Sequence, residues 1–330
     1  MRRPTTVRPG LAAALALALG ALAACSGGTT PPAPTTTAGP TVAASAAPSA
    51  TPSAATAADR AALAAITVSG AAGAKPTVTL PSTPFSVTAG VARTVSQGTG
   101  EAVAQGNLVT LHILELSGVT GGELSSTWAD GAPLVTLADP GSLFGQLYQE
   151  LVTARVGARL VVAAPQGDST LPMTIVDVVD VVAARPVPAR ASGAPVAPVV
   201  GLPTVTLDGT GKPALTAATG PAPTGLVAQP LVQGTGPKVA SGQTVVVNYT
   251  GWLWDGTKFD SSWDRGAPYA VQKIGQAQVI DGWNQGLVGQ TVGSQVLLVV
   301  PPNLGYGATA QGSIPASSTL VFVVDILAAG

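Results

Sequence analysis

The sequence predicts an α+β protein of two related units, each mostly antiparallel β with one short helix, and three observations carry that prediction. The chain repeats itself: QGTG occurs at 97–100 and 233–236, LSSTWADGAPL (124–134) lies against FDSSWDRGAPY (259–269), and LFGQLYQELVTARVGARLVVAAP (143–165) against VIDGWNQGLVGQTVGSQVLLVVP (279–301). The offset stays at 135–136 residues throughout, the mark of a duplicated domain. PTVTL also recurs, at 76–80 and 203–207. The runs VVVNYTG, QVLLVV and TLVFVVDIL are rich in Val and Thr, which favours strands. In residues 279–289, Ile280, Trp283 and Leu287 recur at helical spacing, so they share one apolar face that carries an indole.

Composition sets the outer bounds. With 330 residues, 40 Gly, 29 Pro and only 9% charged residues, the chain suits two modest domains with long linkers. The formal net charge is −1, and no Lys/Arg cluster follows the extreme N-terminus, so the electrostatic footprint of a nucleic-acid binder is missing. One Cys and one His exclude a disulfide framework and a zinc site of the usual Cys/His type.

Residues 1–24 read as a lipoprotein signal peptide. Arg2, Arg3 and Arg8 precede an apolar stretch, 11–24, that is shorter than the roughly 20 residues a spanning helix needs. It ends in LAAC, with the sole cysteine, Cys25, where a lipobox requires it; cleavage leaves Cys25 first and lipidated. The chain is therefore expected at the cell membrane, lipid-anchored on its extracytoplasmic face. Residues 25–59 are Pro-, Ala- and Thr-rich, cannot bury a core, and read as a disordered tether. The first unit covers 60–185, a Pro/Ala/Gly-rich linker 186–224, and the second unit 225–330; the two linkers argue for independently folded units.

Within the predicted helix of the second unit, Gly282 and Gly286 give up helix propensity but leave no side chain between the helix and its neighbour. Only tertiary packing keeps such a helix folded. Around it lie the strand QTVVVNYTG, the loop-rich DGTKFDSSWDRGAPY and the tail LGYGATAQGSIPASSTLVFVVDIL. Nine of the thirteen aromatic residues fall between Tyr249 and Phe322. That convergence favours a pocket for an apolar ring, floored by Trp283. Taken singly, Trp283, Phe322 and Ile280 read equally well as core, Asp260 with Arg265 as a solvated ion pair, and Trp252, Trp254 and Trp263 as sheet or loop packing.

Over its whole length, the second unit resembles the FKBP-type peptidyl-prolyl cis-trans isomerases. The stretches that carry the likeness are VVNYTGWLWDGTKFDSSWDRGAPY, VIDGWNQGLVGQTVGS, and YGA followed by IPASSTLVFVVDIL. The resemblance implies an antiparallel sheet wrapped around one short helix, and rotamase activity on Xaa-Pro bonds with no cofactor. It also implies that Tyr249, Phe259, Asp260, Trp283, Tyr306 and Phe322 serve catalysis, while Arg265, Tyr269, Val279, Ile280 and Ile314 bind substrate. Expected partners are proline-containing unfolded or nascent exported polypeptides, and macrolide inhibitors; a non-catalytic chaperone or peptide-binding module is the alternative. The chain departs from the pattern in one extra residue between Tyr269 and Gly275, in Val271 where an aromatic is common, and in a flap one residue short, with Gln311 and Ser313 replacing bulkier groups.

The first unit looks like a degenerate copy. Under the repeat, Tyr249 matches Ile113, Phe259 Leu124, Asp260 Ser125, Arg265 Asp130, Tyr269 Leu134 and Trp283 Leu147; nothing matches Tyr306. His112 reads as a plain strand residue.

Overall fold

Alternating Val/Leu runs, broken at Gly and Pro, build two sheets of the same topology. The computed structural model describes residues 54–166 and 173–330; the signal peptide, Cys25 and most of the tether lie outside them. In the first half come α1 (Ala57–Ala64), β1 (Thr67–Ser69), β2 (Thr77–Thr79), β3 (Val91–Ser96), β4 (Leu108–Ser117), β5 (Glu123–Ser126), β6 (Leu134–Leu137), α2 (Gly145–Leu151), β7 (Arg159–Gln166) and β8 (Met173–Arg185). Between the halves lie β9 (Ala194–Pro195), β10 (Thr204–Leu207) and β11 (Pro213–Thr216). The second half holds β12 (Val227–Gln233), β13 (Val245–Leu253), β14 (Lys258–Ser261), α3 (Ser262–Arg265), β15 (Tyr269–Val271), α4 (Asp281–Leu287), β16 (Gln295–Val300), a 3₁₀ turn (Pro302–Leu304) and β17 (Leu320–Ala329).

The sheets run β5-β4-β8-β7-β3 and β14-β13-β17-β16-β12, all antiparallel, with β6 and β15 pairing the far ends of β4 and β13. Even their irregularities repeat. Bulges at Thr94/Ser96, Thr110/Leu111 and Glu115/Leu116 recur at Pro230/Val232, Val246/Val247 and Gly251/Trp252. An extra residue bends a strand and increases its twist, so matched bulges impose matched curvature. Each curved sheet lays a short helix, α2 or α4, in its hollow over an apolar core.

The outer faces are covered too, which corrects the reading of residues 186–224 as a plain linker between independent units. Apolar residues alternate along TVTL and PALT, so β10 and β11 form a hairpin whose Val205 and Leu215 pack on Trp252, Leu297, Val321 and Val323. Trp254 Nε1 donates to Gly220 O at 3.0 Å, and Lys212 pairs with Asp264 of α3 at 2.5 Å. The tryptophans that read as packing thus clamp the joining segment. In the first half, β1 and β2 cover the outer face in the same way, with Val68, Val78 and Leu80 packed on its core. A further apolar patch, Leu108 and Leu137 against Val246, Leu327 and Ala328, joins the halves, and residues 54–330 form one compact unit.

One smaller boundary also changes. The tether stops short of residue 59, because Thr56 and Asp59 make a reciprocal capping box that starts α1 at Ala57. Asp59 also accepts from Thr88 N and Oγ1, pinning α1 to the sheet. His112 stacks on Trp128, with ring centroids 4.7 Å apart, and its Nδ1 lies 2.9 Å from Thr127 Oγ1.

Trp252 is 5% exposed and projects away from the hollow that holds α4. Trp252→Ala is expected to cost about 3–5 kcal/mol and to speed proteolysis within residues 199–216. Urea denaturation with limited proteolysis checks both.

Candidate functional site

Helix α4 approaches its sheet through glycine. A Cβ on Gly282 would come within 2.4 Å of Val300, and one on Gly286 within 2.7 Å of Leu298. Only hydrogen fits there, so the helix settles close onto β16. Ile280 proves to be the N-cap of this seven-residue helix rather than part of its apolar face; Trp283 and Leu287 carry that face at 4% and 0% exposure.

Trp283 then meets two rings edge-on: Tyr249 from β13 at 5.0 Å and 89°, and Phe322 from β17 at 5.4 Å and 85°. Phe259 from β14 meets Phe322 at 5.6 Å, and Tyr269 meets Tyr249 at 6.2 Å. Such perpendicular pairs set positive ring edges against negative faces. Gly251 makes the cluster possible, because a Cβ there would lie 2.7 Å from Phe259 and 2.9 Å from Phe322. The sequence reading passed over Gly251, although a glycine inside a strand is itself a signal of close approach.

Beside the rings is an open cleft of about 390 Å³, lined by Gln278, Val279, Ile280, Asp281, Gly305 and Tyr306. Asn284 fixes one wall: its Oδ1 accepts from Gly275 N and Ala277 N at 2.9 and 3.1 Å, and its Nδ2 donates to Ala277 O at 3.0 Å. This residue too was missed; a polar amide inside a short apolar helix is its trace in the sequence. Ile314, expected on the flap, is 7% exposed and belongs to the core, in a tight turn closed by paired bonds to Gln311.

The polar side of the cluster is a closed triangle. Tyr249 Oη donates to Asp260 Oδ2, Arg265 Nη1 donates to Asp260 Oδ1, and Arg265 Nη2 donates to Tyr249 Oη at 2.9 Å. The guanidinium also lies 5.4 Å from the centre of the Tyr249 ring. Ser262 seats α3 by accepting from Tyr249 N at 2.8 Å and donating to Asn248 Oδ1 at 3.0 Å. The Arg265 and Asp260 side chains are 49% and 39% exposed, so this ion pair orients the Tyr249 ring more than it stabilises the fold. Burial first, then the bond to Asp260, pushes the Tyr249 phenol up to about 12. Tyr306 is raised as well, by burial and then by the Asp260 charge. Both hydroxyls keep their protons at neutral pH and remain able to donate.

The structure therefore brings together Tyr249, Phe259, Asp260, Arg265, Tyr269, Trp283 and Phe322, and gathers Val279, Ile280 and Tyr306 at the adjacent cleft; Ile314 stands in the core beneath. Among the described residues no group of three or more His, Cys, Asp or Glu side chains is placed to hold a metal ion.

Comparison with known proteins shows what the second half is similar to. A sequence model described as FKBP-type peptidyl-prolyl cis-trans isomerase matches residues 236–327. FK506-binding protein 1 of Aspergillus oryzae is 42% identical, over 29% of this chain and 91% of that protein. The FK506-binding protein of Neisseria meningitidis serogroup B is 44% identical, over 31% and 94%. That of Streptomyces anulatus is 40% identical, over 36% and 96%.

Proposed function

The chain belongs to the FKBP-type peptidyl-prolyl cis-trans isomerases, and from that premise we propose that the second half turns Xaa-Pro bonds over the Trp283 ring. The observation that carries the proposal is the meeting of Trp283, Tyr249 and Phe322 beside the cleft of Val279, Ile280 and Tyr306.

Rotation about the peptide bond is opposed by about 18–20 kcal/mol, because the twisted amide loses its resonance. No covalent bond has to break. The twisted amide is also less dipolar than the planar one, so surroundings poor in water favour it relative to the ground state. The prolyl ring sits on the indole, against Tyr249, Phe259 and Phe322. The Tyr306 hydroxyl donates to a substrate carbonyl and holds the chain on one side of the turning bond. Asp260 and Arg265 keep the Tyr249 ring in place as part of the wall. The same apolar box suits the ring system of a macrolide inhibitor.

The clients are proline-containing polypeptides folding outside the cytoplasm, and the enzyme is held at the membrane by a lipid on Cys25. Support for this comes from the basic start, the short apolar stretch and the LAAC motif. No helix among the described residues is long and apolar enough to cross a membrane. The test is the refolding of a small protein whose slow phase is Xaa-Pro isomerisation. The intact chain should accelerate that phase in proportion to its concentration; an unchanged slow phase refutes the proposal.

A further inference from the structure

In the first half, strand register puts a carboxylate where the second half has Phe322. Phe322 stands opposite Gly251 and Leu298, and Asp177 opposite Glu115 and Val162. Side chains alternate across a strand. Val179 and Val181 of β8 belong to the core under α2, whereas Val176 and Val178 belong to the outer one. Asp177 therefore points into the hollow. On β4, Leu111 and Ile113 pack inward while Leu114 and Leu116 pack outward, so Glu115 points the same way and lies beside it.

This is more than an acidic pair on a surface. Asp177 Oδ1 is shut off from solvent and has no hydrogen-bond partner among the described residues, and a buried acceptor left unmet is costly. Burial, then the Glu115 charge, pushes the Asp177 carboxyl up to about 7, and burial raises Glu115 as well. Among the described residues no neighbouring element supplies a counter-charge: β7 faces the pair with Val162, β5 with Ser125. The one charged residue of α2, Glu150, is occupied by the Thr94 hydroxyl at 2.7 Å. Exposed apolar groups stand on the flanking elements, Leu124 on β5 at 47% and Phe144 at the N-cap of α2 at 39%.

We propose that the hollow of the first half is a second polypeptide-binding site, which takes the basic side chain of a lysine or arginine flanked by apolar residues. A long apolar stem passes the rim and delivers its cationic head to the Asp177 carboxylate. Two carboxylates alone are too few for a calcium shell, and no third metal-ligating side chain joins them among the described residues. The site is separate from the isomerase pocket and does not depend on it.

The test uses the full chain and a labelled proline-free peptide, Ala-Leu-Lys-Leu-Ala, beside its norleucine counterpart, with affinities read by fluorescence anisotropy. At pH 8 the lysine peptide should bind about tenfold more tightly or better. That preference should shrink at pH 6, as Asp177 takes up its proton, shrink in Glu115→Gln, which leaves one carboxylate of the pair, and vanish in Asp177→Asn. It should survive Trp283→Leu. Equal affinity for the two peptides overturns the proposal, as does a preference that persists in the folded Asn variant or is undiminished in the folded Gln variant. Loss of the preference in Trp283→Leu alone assigns it to the second half, and overturns the proposal too.

Discussion

Trp283→Leu is expected to leave the second half folded while lowering kcat/KM for Xaa-Pro isomerisation about a hundredfold, or about 2.7 kcal/mol. The fold survives because the first half already has leucine at the matching place: Leu147 on α2 is 5% exposed within its core. The loss arises because leucine is smaller than indole and has no ring face. Two perpendicular contacts worth about 0.5–1.5 kcal/mol each disappear, along with the flat floor for the prolyl ring. Stopped-flow kinetics with a protease-resistant Xaa-Pro peptide, alongside circular dichroism, separates activity from folding. A folded variant with unchanged kcat/KM removes Trp283 from the site.

Asp177→Asn is expected to stabilise the protein at pH 8 and leave it nearly unchanged at pH 4. In the folded chain the carboxyl titrates near 7 instead of its ordinary 3.8, so the folded state holds a proton that the unfolded state releases. The stability this contributes is complete below about pH 4, declines as pH rises, and is gone above about 7. Asparagine keeps the shape and removes the slope. The gain at pH 8 is on the order of 2–4 kcal/mol. Urea midpoints at pH 4, 6 and 8 measure it; parallel pH profiles for wild type and variant contradict it. The comparison matters because Asp325, also raised by burial, gives both proteins a shared slope in the same direction.

Much of this architecture was legible because a duplication writes it twice. Matching runs 135–136 residues apart fixed which strands and helices correspond, and the paired bulges follow that register. Spacing made only the indole of α4 legible; Tyr249, Asp260 and Arg265 were singled out by the family resemblance, since read by themselves Asp260 and Arg265 were a solvated ion pair. What escaped the sequence depends on register and close packing. Asp177 takes the place of Phe322 only after strand pairing is known, because the β7–β8 connection is shorter than the β16–β17 one and shifts the offset there to 145 residues. PTVTL misled in a similar way: its two copies lie 127 residues apart and form opposite arms of their hairpins, β2 in the first half and β10 in the joining segment. The joining segment was hidden by its proline and alanine content, although its few alternating apolar residues are enough to cover Trp252. Gly251 and Asn284 act through contacts across the sheet and the 275–279 loop, which no single sequence window contains.

A catalyst turns the bond over, whereas a binding module merely holds its ligand. Exchange between the cis and trans forms of a short Leu-Pro peptide, followed by NMR in the presence of the full chain, tests this most directly and needs no coupling protease. With the full chain at a small fraction of the peptide concentration, exchange that is uncatalysed over tens to hundreds of seconds should become fast enough to transfer magnetisation between the two forms. Peptide resonances that broaden on binding while cis and trans exchange at the uncatalysed rate would contradict it, and would make the pocket a binding module.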